Sequence, residues 1–191
     1  MNGQKLNGSY RLHGVHDMAC AFNFTPDGKF QFFQMYGAID RKATGTYTVE
    51  GKTLKLKSDK VPGKDFNVTA QSKKGSGYTI KVNEPNDYLR KYVMAIAEVN
   101  GAKTGYSPDE SGLIRIEEPI GDSIALVHEL FPDFVTIIKD KDNVNNYFEV
   151  TLLPSLTDVS FKGIDFTMDG DSLTCMPNYF LPYENIEFVK E

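Results

Sequence analysis

The chain contains no tryptophan, only two cysteines and three histidines, and no long run of apolar residues. A membrane-spanning helix needs about 18 or more consecutive apolar residues, so the sequence predicts no transmembrane segment. The first five residues, Met1 to Lys5, contain no apolar signal core. Two locations stay open: the periplasm or cell surface, if a signal peptide was removed, and otherwise the cytoplasm.

A surplus of positive charge is also lacking. The 21 Lys and Arg residues are outnumbered by 26 Asp and Glu residues, which leaves a formal net charge of -5. Proteins that bind nucleic acid present basic surfaces to the phosphate backbone, so nucleic acid is not an expected partner. The sequence points instead to an unidentified small molecule or protein.

The two cysteines, Cys20 and Cys175, lie far apart in the sequence. Two cysteines are too few for the disulfide framework of a small secreted domain. They are interpreted as two buried free thiols, with a single bridge between the two ends of the chain as the alternative.

The first 82 residues read as short strands separated by turns. The turn Thr25-Pro26-Asp27-Gly28 lies between the apolar-polar alternations of residues 20–24 and 29–36, which is typical of a β-hairpin. Residues 45–49 and 53–57 predict a second hairpin, and residues 66–70 and 78–82 predict a third. Consecutive hairpins form a meander, which must close or be covered to protect its edges.

Three motifs carry a resemblance to lipocalin-like (calycin-type) barrel proteins of bacteria. They are Gly8-Ser9-Tyr10, the Phe24 to Phe30 segment with Asp27-Gly28-Lys29, and Gly45-Thr46-Tyr47 followed by Leu54 and Leu56. The family tends to have Gly-x-Trp where this chain has Gly-x-Tyr, so its usual packing residue is missing. The resemblance implies a barrel, and residues 161–191 resemble its closing strands.

The middle segment, residues 83–160, has a different pattern. Residues 87–99 fit either a helix or a strand, and the strand is favoured because Asn100-Gly101 would form a hairpin turn. Residues 99–126, with the turn Asp109 to Gly112, resemble the transthyretin-like or carboxypeptidase-regulatory-like β-sandwich. That resemblance implies an adhesive or architectural module.

The predicted fold class is therefore all-β, an antiparallel meander or lipocalin-like barrel plus a small β-sandwich. Residues 1–82, completed by 161–191, form the predicted barrel, and residues 83–160 form the sandwich. The alternative is two modules in series, with the last strands completing the second.

Aromatic side chains supply the ligand-binding candidates, because alternation places several of them on one face of the meander. A barrel interior lined by rings could accept an apolar or sugar-like ligand, or could be filled by the rings themselves. The candidates are Phe22, Phe24, Phe30, Phe32 and Tyr47.

Two segments contain potential metal ligands. His13, His16 and Asp17 precede Cys20, but residues three apart on a strand point to opposite faces, so two surface or half-buried histidines are the simpler interpretation. Residues 140–146 contain several oxygen ligands but depart from the EF-hand pattern, and a polar hairpin loop explains them equally well. No metal and no cofactor is therefore assigned.

Motifs of nucleophilic catalysis and phosphate binding are missing. There is no Gly-x-Ser-x-Gly elbow and no Cys–His motif, and Gly75-Ser76-Gly77 lacks the lysine of a P-loop. No catalytic residue is assigned. The sequence predicts a noncatalytic binding or interaction module of unidentified ligand, with the bacterial cell envelope as one expected location. The alternatives are a carrier of a small hydrophobic ligand in the barrel and a metal-dependent hydrolase.

Overall fold

The computed structural model describes residues 5–191, and the all-β class is confirmed. The absence of an apolar signal core was predicted for residues 1–5, and of these only Lys5 lies within the described range. The described chain forms two compact units. One unit contains the segments up to Pro62 and from Thr157 onward, and the other is Gly63–Leu156.

The discontinuous unit is a closed antiparallel barrel. Its strands follow one another around the wall in the order β1-β16-β15-β14-β5-β4-β3-β2. Their bounds are β1 Gly8–His13, β2 Met18–Thr25, β3 Lys29–Tyr36, β4 Ile39–Glu50, β5 Thr53–Ser58, β14 Asp165–Asp169, β15 Ser172–Cys175 and β16 Ile186–Lys190.

Both predicted hairpins of the barrel are confirmed. Gly28 adopts a φ of 85° and its N–H donates to the carbonyl of Thr25 over 3.0 Å, which closes the turn between β2 and β3. Glycine reaches this left-handed conformation without the steric penalty that a Cβ brings. The wall closes because β1 pairs with β16, the last strand of the chain.

The continuous unit consists of two four-stranded sheets. Their orders are β10-β7-β13-β6 and β12-β11-β8-β9. The strand bounds are β6 Phe66–Ser72, β7 Tyr78–Val82, β8 Val93–Val99, β9 Ala102–Tyr106, β10 Leu113–Ile116, β11 Ile120–His128, β12 Thr136–Lys139 and β13 Tyr147–Leu152. Residues of both sheets share one core, so the sheets pack face to face as a sandwich.

The predicted hairpin between residues 66–70 and 78–82 is wrong. β13 lies between those two strands, antiparallel to β6 and parallel to β7. The third strand brings Phe148 and Val150, which are fully buried, into the core. Both β6 and β7 lie in the sandwich unit. The units therefore divide at 62/63 and 156/157, which differs from the predicted 82/83 and 160/161.

The ambiguous segment 87–99 contains both structures. Residues Asp87–Arg90 form one helical turn, α1, because the Asn86 side chain accepts hydrogen bonds from the N–H groups of Tyr88 and Leu89. From Val93 onward the chain is strand β8, as the sequence favoured, and its alternate residues are buried. A 3-10 helix, Pro154–Thr157, follows β13.

None of the helices in the described part of the chain has the length and apolar character that crossing a membrane requires.

Candidate functional site

The five predicted ligand-binding side chains all point into the barrel. Their exposed fractions are between 1 and 7 %, as the alternation along β2, β3 and β4 predicts. The rings pack on one another around Phe22. Its ring centroid lies 4.8 Å from that of Phe32, 4.9 Å from Phe188 and 5.3 Å from Phe166. These distances are typical of aromatic pairs in van der Waals contact.

Tyr47 has a second role at one end of the barrel. Its hydroxyl oxygen accepts a hydrogen bond from the Leu6 N–H at 2.9 Å and lies 3.0 Å from the carbonyl oxygens of Leu6 and Thr25. Burial raises the pKa of this phenol. The tyrosine therefore links the segment that precedes β1 to the β2–β3 turn. Its hydroxyl group is engaged in hydrogen bonds with protein backbone groups.

Two further rings enter the barrel from irregular segments, Phe161 before β14 and Phe180 between β15 and β16. Phe161 lies 5.5 Å from Phe30, and Phe180 lies 5.5 Å from Phe32. Neither ring was predicted from the sequence, because neither belongs to an alternating pattern of apolar and polar residues. In this structure the predicted ligand-binding rings contact protein rings. A ligand inside the barrel would have to displace some of these rings.

The candidate metal ligands near the N-terminus do not converge. His13, His16 and Asp17 are exposed, while Cys20 is buried inside the barrel. Strand alternation and the turn before β2 send these groups to different sides of the wall. Within residues 5–191, no group of three or more His, Cys, Asp or Glu side chains is placed to hold a metal ion.

The loop of residues 140–146 uses its oxygens for its own backbone. Asp140 Oδ1 accepts the N–H groups of Asp142 and Asn143 at 3.1 Å, and Asn143 Oδ1 accepts the N–H of Asn145 at 3.1 Å. These hydrogen bonds form Asx turns, which are typical of the polar hairpin loop that the sequence allowed as an alternative to a calcium site.

Both cysteines are free thiols. Burial raises the pKa of Cys20 far above its ordinary value, and the nearby Cys175 raises it further. Burial also raises the pKa of Cys175, to about 11. The nucleophilic form of cysteine is the thiolate, and the raised pKa values keep both thiols protonated at neutral pH.

The outer face of β1–β4 carries a row of uncharged polar side chains. Ser9 is paired with Asn23, Asn23 with Gln31, and Gln31 with Thr44, so the four residues lie side by side across four strands. Among the hydrogen bonds of residues 5–191, none involves the side-chain amide of Asn23 or of Gln31. Thr44 Oγ1 donates to Asp59 Oδ2 over 2.6 Å at the end of the row. We call Ser9, Asn23, Gln31 and Thr44 the polar row.

The neighbouring row on the same face contains apolar side chains and a lysine instead of uncharged polar groups. Ala21 is paired with Phe33, and Phe33 with Lys42. Phe33 is 42 % exposed, and Met35, two residues further along β3, is 50 % exposed. Phe33 and Gln31 are two residues apart on β3 and so lie on the same face.

Two hollows lie on either side of the polar row. One has a volume of about 460 Å³ and extends toward Thr25, Lys29 and Thr46, with Gly45 in its lining. The other has a volume of about 340 Å³ and is lined by the residues of the Phe33 row. Asn23, Gln31 and Thr44 line both hollows. Volumes of a few hundred Å³ fall in the range of small-molecule sites.

The chain matches no protein-family model, no curated protein sequence and no solved structure.

The sandwich unit presents an apolar outer face of its own on the sheet β12-β11-β8-β9. Ile96 is paired with Ala125, and Ala125 with Ile137, while Met94 is paired with Val127. Ile137 is 63 % exposed, and the other four are partly exposed. We call these five residues the apolar face. Contiguous exposed apolar surface of this kind marks interaction sites in soluble proteins.

Proposed function

We propose that the chain is a noncatalytic binding module that holds its ligand on the outer surface of the barrel. The observation that carries this proposal is the ring packing around Phe22. Rings from β2, β3, β14 and β16 and from two irregular segments meet inside the barrel at centroid separations of 4.8–6.2 Å. Protein interiors packed in this way behave as rigid solids.

The barrel then acts as a scaffold that keeps the outward side chains of β1–β4 at fixed spacing. Preorganised groups lose little conformational entropy when a ligand binds. The two hollows beside the polar row supply concave surface, and the polar row supplies hydrogen-bonding groups. The resemblance to lipocalin-like barrels fits a binding role as well, although that family's usual ligand position is the interior.

A nuclear magnetic resonance titration tests this proposal. Isotope-labelled protein is titrated with a library that contains both apolar compounds and polar compounds, and amide and aromatic shifts are followed. We expect saturable shifts that centre on Gln31 and Thr44. Shifts that centre on the interior rings would favour the carrier of a hydrophobic ligand. Turnover of any compound, or no saturable shift with any compound, would contradict the proposal.

A second binding role, toward a protein partner, is favoured by the apolar face of the sandwich. Burial of this surface against another protein would be favourable by about 25 cal/mol for each Å² removed from water. Photo-crosslinking from a benzoylphenylalanine at Ile137 tests this role in cells that produce the protein. Val144, which is 75 % exposed in the same unit, is the matched control position. An adduct of defined mass from position 137 alone supports the role, and equal labelling from both positions, or none, opposes it.

A further inference from the structure

We infer that the ligand of the barrel is a neutral saccharide that lies across the outer face of β1–β4, on the polar row and against Phe33. This inference rests on the proposed function, since it requires an outer binding surface, and it adds the chemical class of the ligand and the residues that recognise it.

The polar row matches the hydrogen-bonding character of sugar hydroxyl groups. A hydroxyl group both donates and accepts, and so do the side chains of serine, threonine, asparagine and glutamine. The amides of Asn23 and Gln31 make no hydrogen bond with any other described residue, so their donors and acceptors are available to a ligand. Neighbouring strands lie about 4.8 Å apart, so the row extends for about 14 Å from Ser9 to Thr44. A ligand with several hydroxyl groups in line can use all four positions.

Phe33 supplies the apolar half of a saccharide site. One face of a sugar ring exposes C–H groups, which pack on the electron-rich face of an aromatic ring. Phe33 lies beside the polar row on the same face, and it is 42 % exposed between its in-register neighbours Ala21 and Lys42. A sugar that hydrogen-bonds with Gln31 can therefore stack on Phe33.

The charge of the face favours a neutral ligand over an anion. Lys29 Nζ lies 3.3 Å from Asp27 Oδ2, and Asp59 stands at the end of the polar row. Hydrogen bonds from Thr25 and Lys29 hold the pKa of Asp27 below its ordinary value, so this carboxylate stays ionised beside the 460 Å³ hollow. Lys42, which is paired with Phe33, lines the 340 Å³ hollow. The charged side chains that line the two hollows are therefore Lys29, Lys42, Asp27 and Asp59, and their charges offset one another.

The outward side chains of the other four strands of the barrel, β5 and β14–β16, can be compared with the polar row. There the exposed charged side chains are Lys55, Lys57, Asp165, Asp169 and Glu187. A row of hydroxyl groups also lies there, because Thr53 is paired with Thr167 and Thr167 with Thr174. Since β5, β14, β15 and β16 contain no Asn or Gln, the side-chain amides of Asn23 and Gln31 distinguish the polar row from that second row.

A glycan microarray tests the inference on the full chain. Fluorescently labelled protein is applied to neutral oligosaccharides and to sulfated and sialylated glycans, and each glycan that binds is measured by isothermal titration calorimetry. We expect binding to neutral oligosaccharides. Loss of one neutral hydrogen bond weakens binding by about 3- to 10-fold, which is the effect expected for Gln31→Ala and for Asn23→Ala.

A matched pair of substitutions on one strand serves as the control. Thr44 and Thr48 both face outward on β4, but only Thr44 lines the hollows. Thr44→Ala should weaken glycan binding, whereas Thr48→Ala should leave the dissociation constant within about 1.5-fold of the wild-type value. Phe33→Ala tests the stacking contact. Circular dichroism spectra and melting temperatures verify that each variant is folded.

The outcomes separate this inference from the proposed function. If no glycan binds but the titration finds another outer-surface ligand, the saccharide inference is overturned and the binding module stands. Binding to acidic glycans alone overturns the inference, because the recognition would then be electrostatic. Glycan binding that is insensitive to Gln31→Ala and Phe33→Ala overturns the assigned site.

Discussion

Replacing Phe22 by alanine removes the ring around which the barrel interior packs. Phe22 is 1 % exposed, and its ring centroid is 4.8–6.2 Å from those of six neighbouring rings. A buried Phe→Ala substitution costs about 3–5 kcal/mol through lost transfer free energy and the cavity that remains. All of the neighbouring rings except Phe161 are held by strands, so the cavity collapses little. We therefore expect a loss of about 4–5 kcal/mol in the free energy of unfolding of the barrel.

Urea denaturation measures this loss. With an m-value of about 2 kcal/mol/M, the midpoint should fall by about 2 M. Reaction of the Cys20 thiol with a disulfide reagent reports on the barrel itself, because this residue is buried within it. Phe33→Ala, which removes a ring that is 42 % exposed, is the control and should cost less than about 1 kcal/mol.

The result that would refute this reasoning is a small effect of Phe22→Ala. A midpoint that falls by less than about 0.5 M, or no further than for Phe33→Ala, would mean that the rings do not fill the interior. The hypothesis of a hydrophobic carrier would then be the stronger one.

Three other predictions concern separate features. Gly45→Ala places a Cβ 2.0 Å from the Lys57 carbonyl oxygen, so it should destabilise the barrel by more than about 2 kcal/mol in urea unfolding; a neutral effect would contradict the strand geometry. A hydrogen bond from Ser111 is the main cause that holds the pKa of Asp109 well below its ordinary value. The stabilisation that Asp109 provides relative to Asp109→Asn should therefore be full near neutral pH and be lost as the pH falls below about 4, as checked by urea midpoints across pH. Cys175, with a pKa of about 11, should be alkylated by iodoacetamide at pH 8 about 100-fold more slowly in the folded than in the unfolded protein, and equal rates would show that it is not buried.

The strand content and the orientation of the barrel side chains follow from local sequence. Alternation along β2 and β3 places Phe22 and Phe32 inside and Asn23 and Gln31 outside, because successive side chains of a strand point to opposite faces. The β2–β3 turn is equally local, since it depends on the left-handed conformation of Gly28. These features required no knowledge of strand pairing.

The pairing of distant strands could not be predicted in the same way. The sequence placed residues 66–82 in one hairpin, yet β13 inserts between the two strands from about 70 residues further along the chain. Local alternation specifies which face of a strand is buried but not which strand lies beside it. The unit boundary therefore lies at residue 62 rather than at residue 82.

In the candidate site, too, some features follow from the local sequence and others depend on how the strands pair. The amino-acid sequence by itself determined that the chain is all-β and that the predicted ligand-binding rings face inward, because both depend on a period of two. Only the tertiary structure decided that Phe161 and Phe180 pack against those rings and that Ser9, Asn23, Gln31 and Thr44 line up across four strands. A cross-strand row depends on register, and the register of hairpin strands is set by the type and length of each connecting turn. The turns between β1 and β2 and between β3 and β4 were not predicted from the sequence.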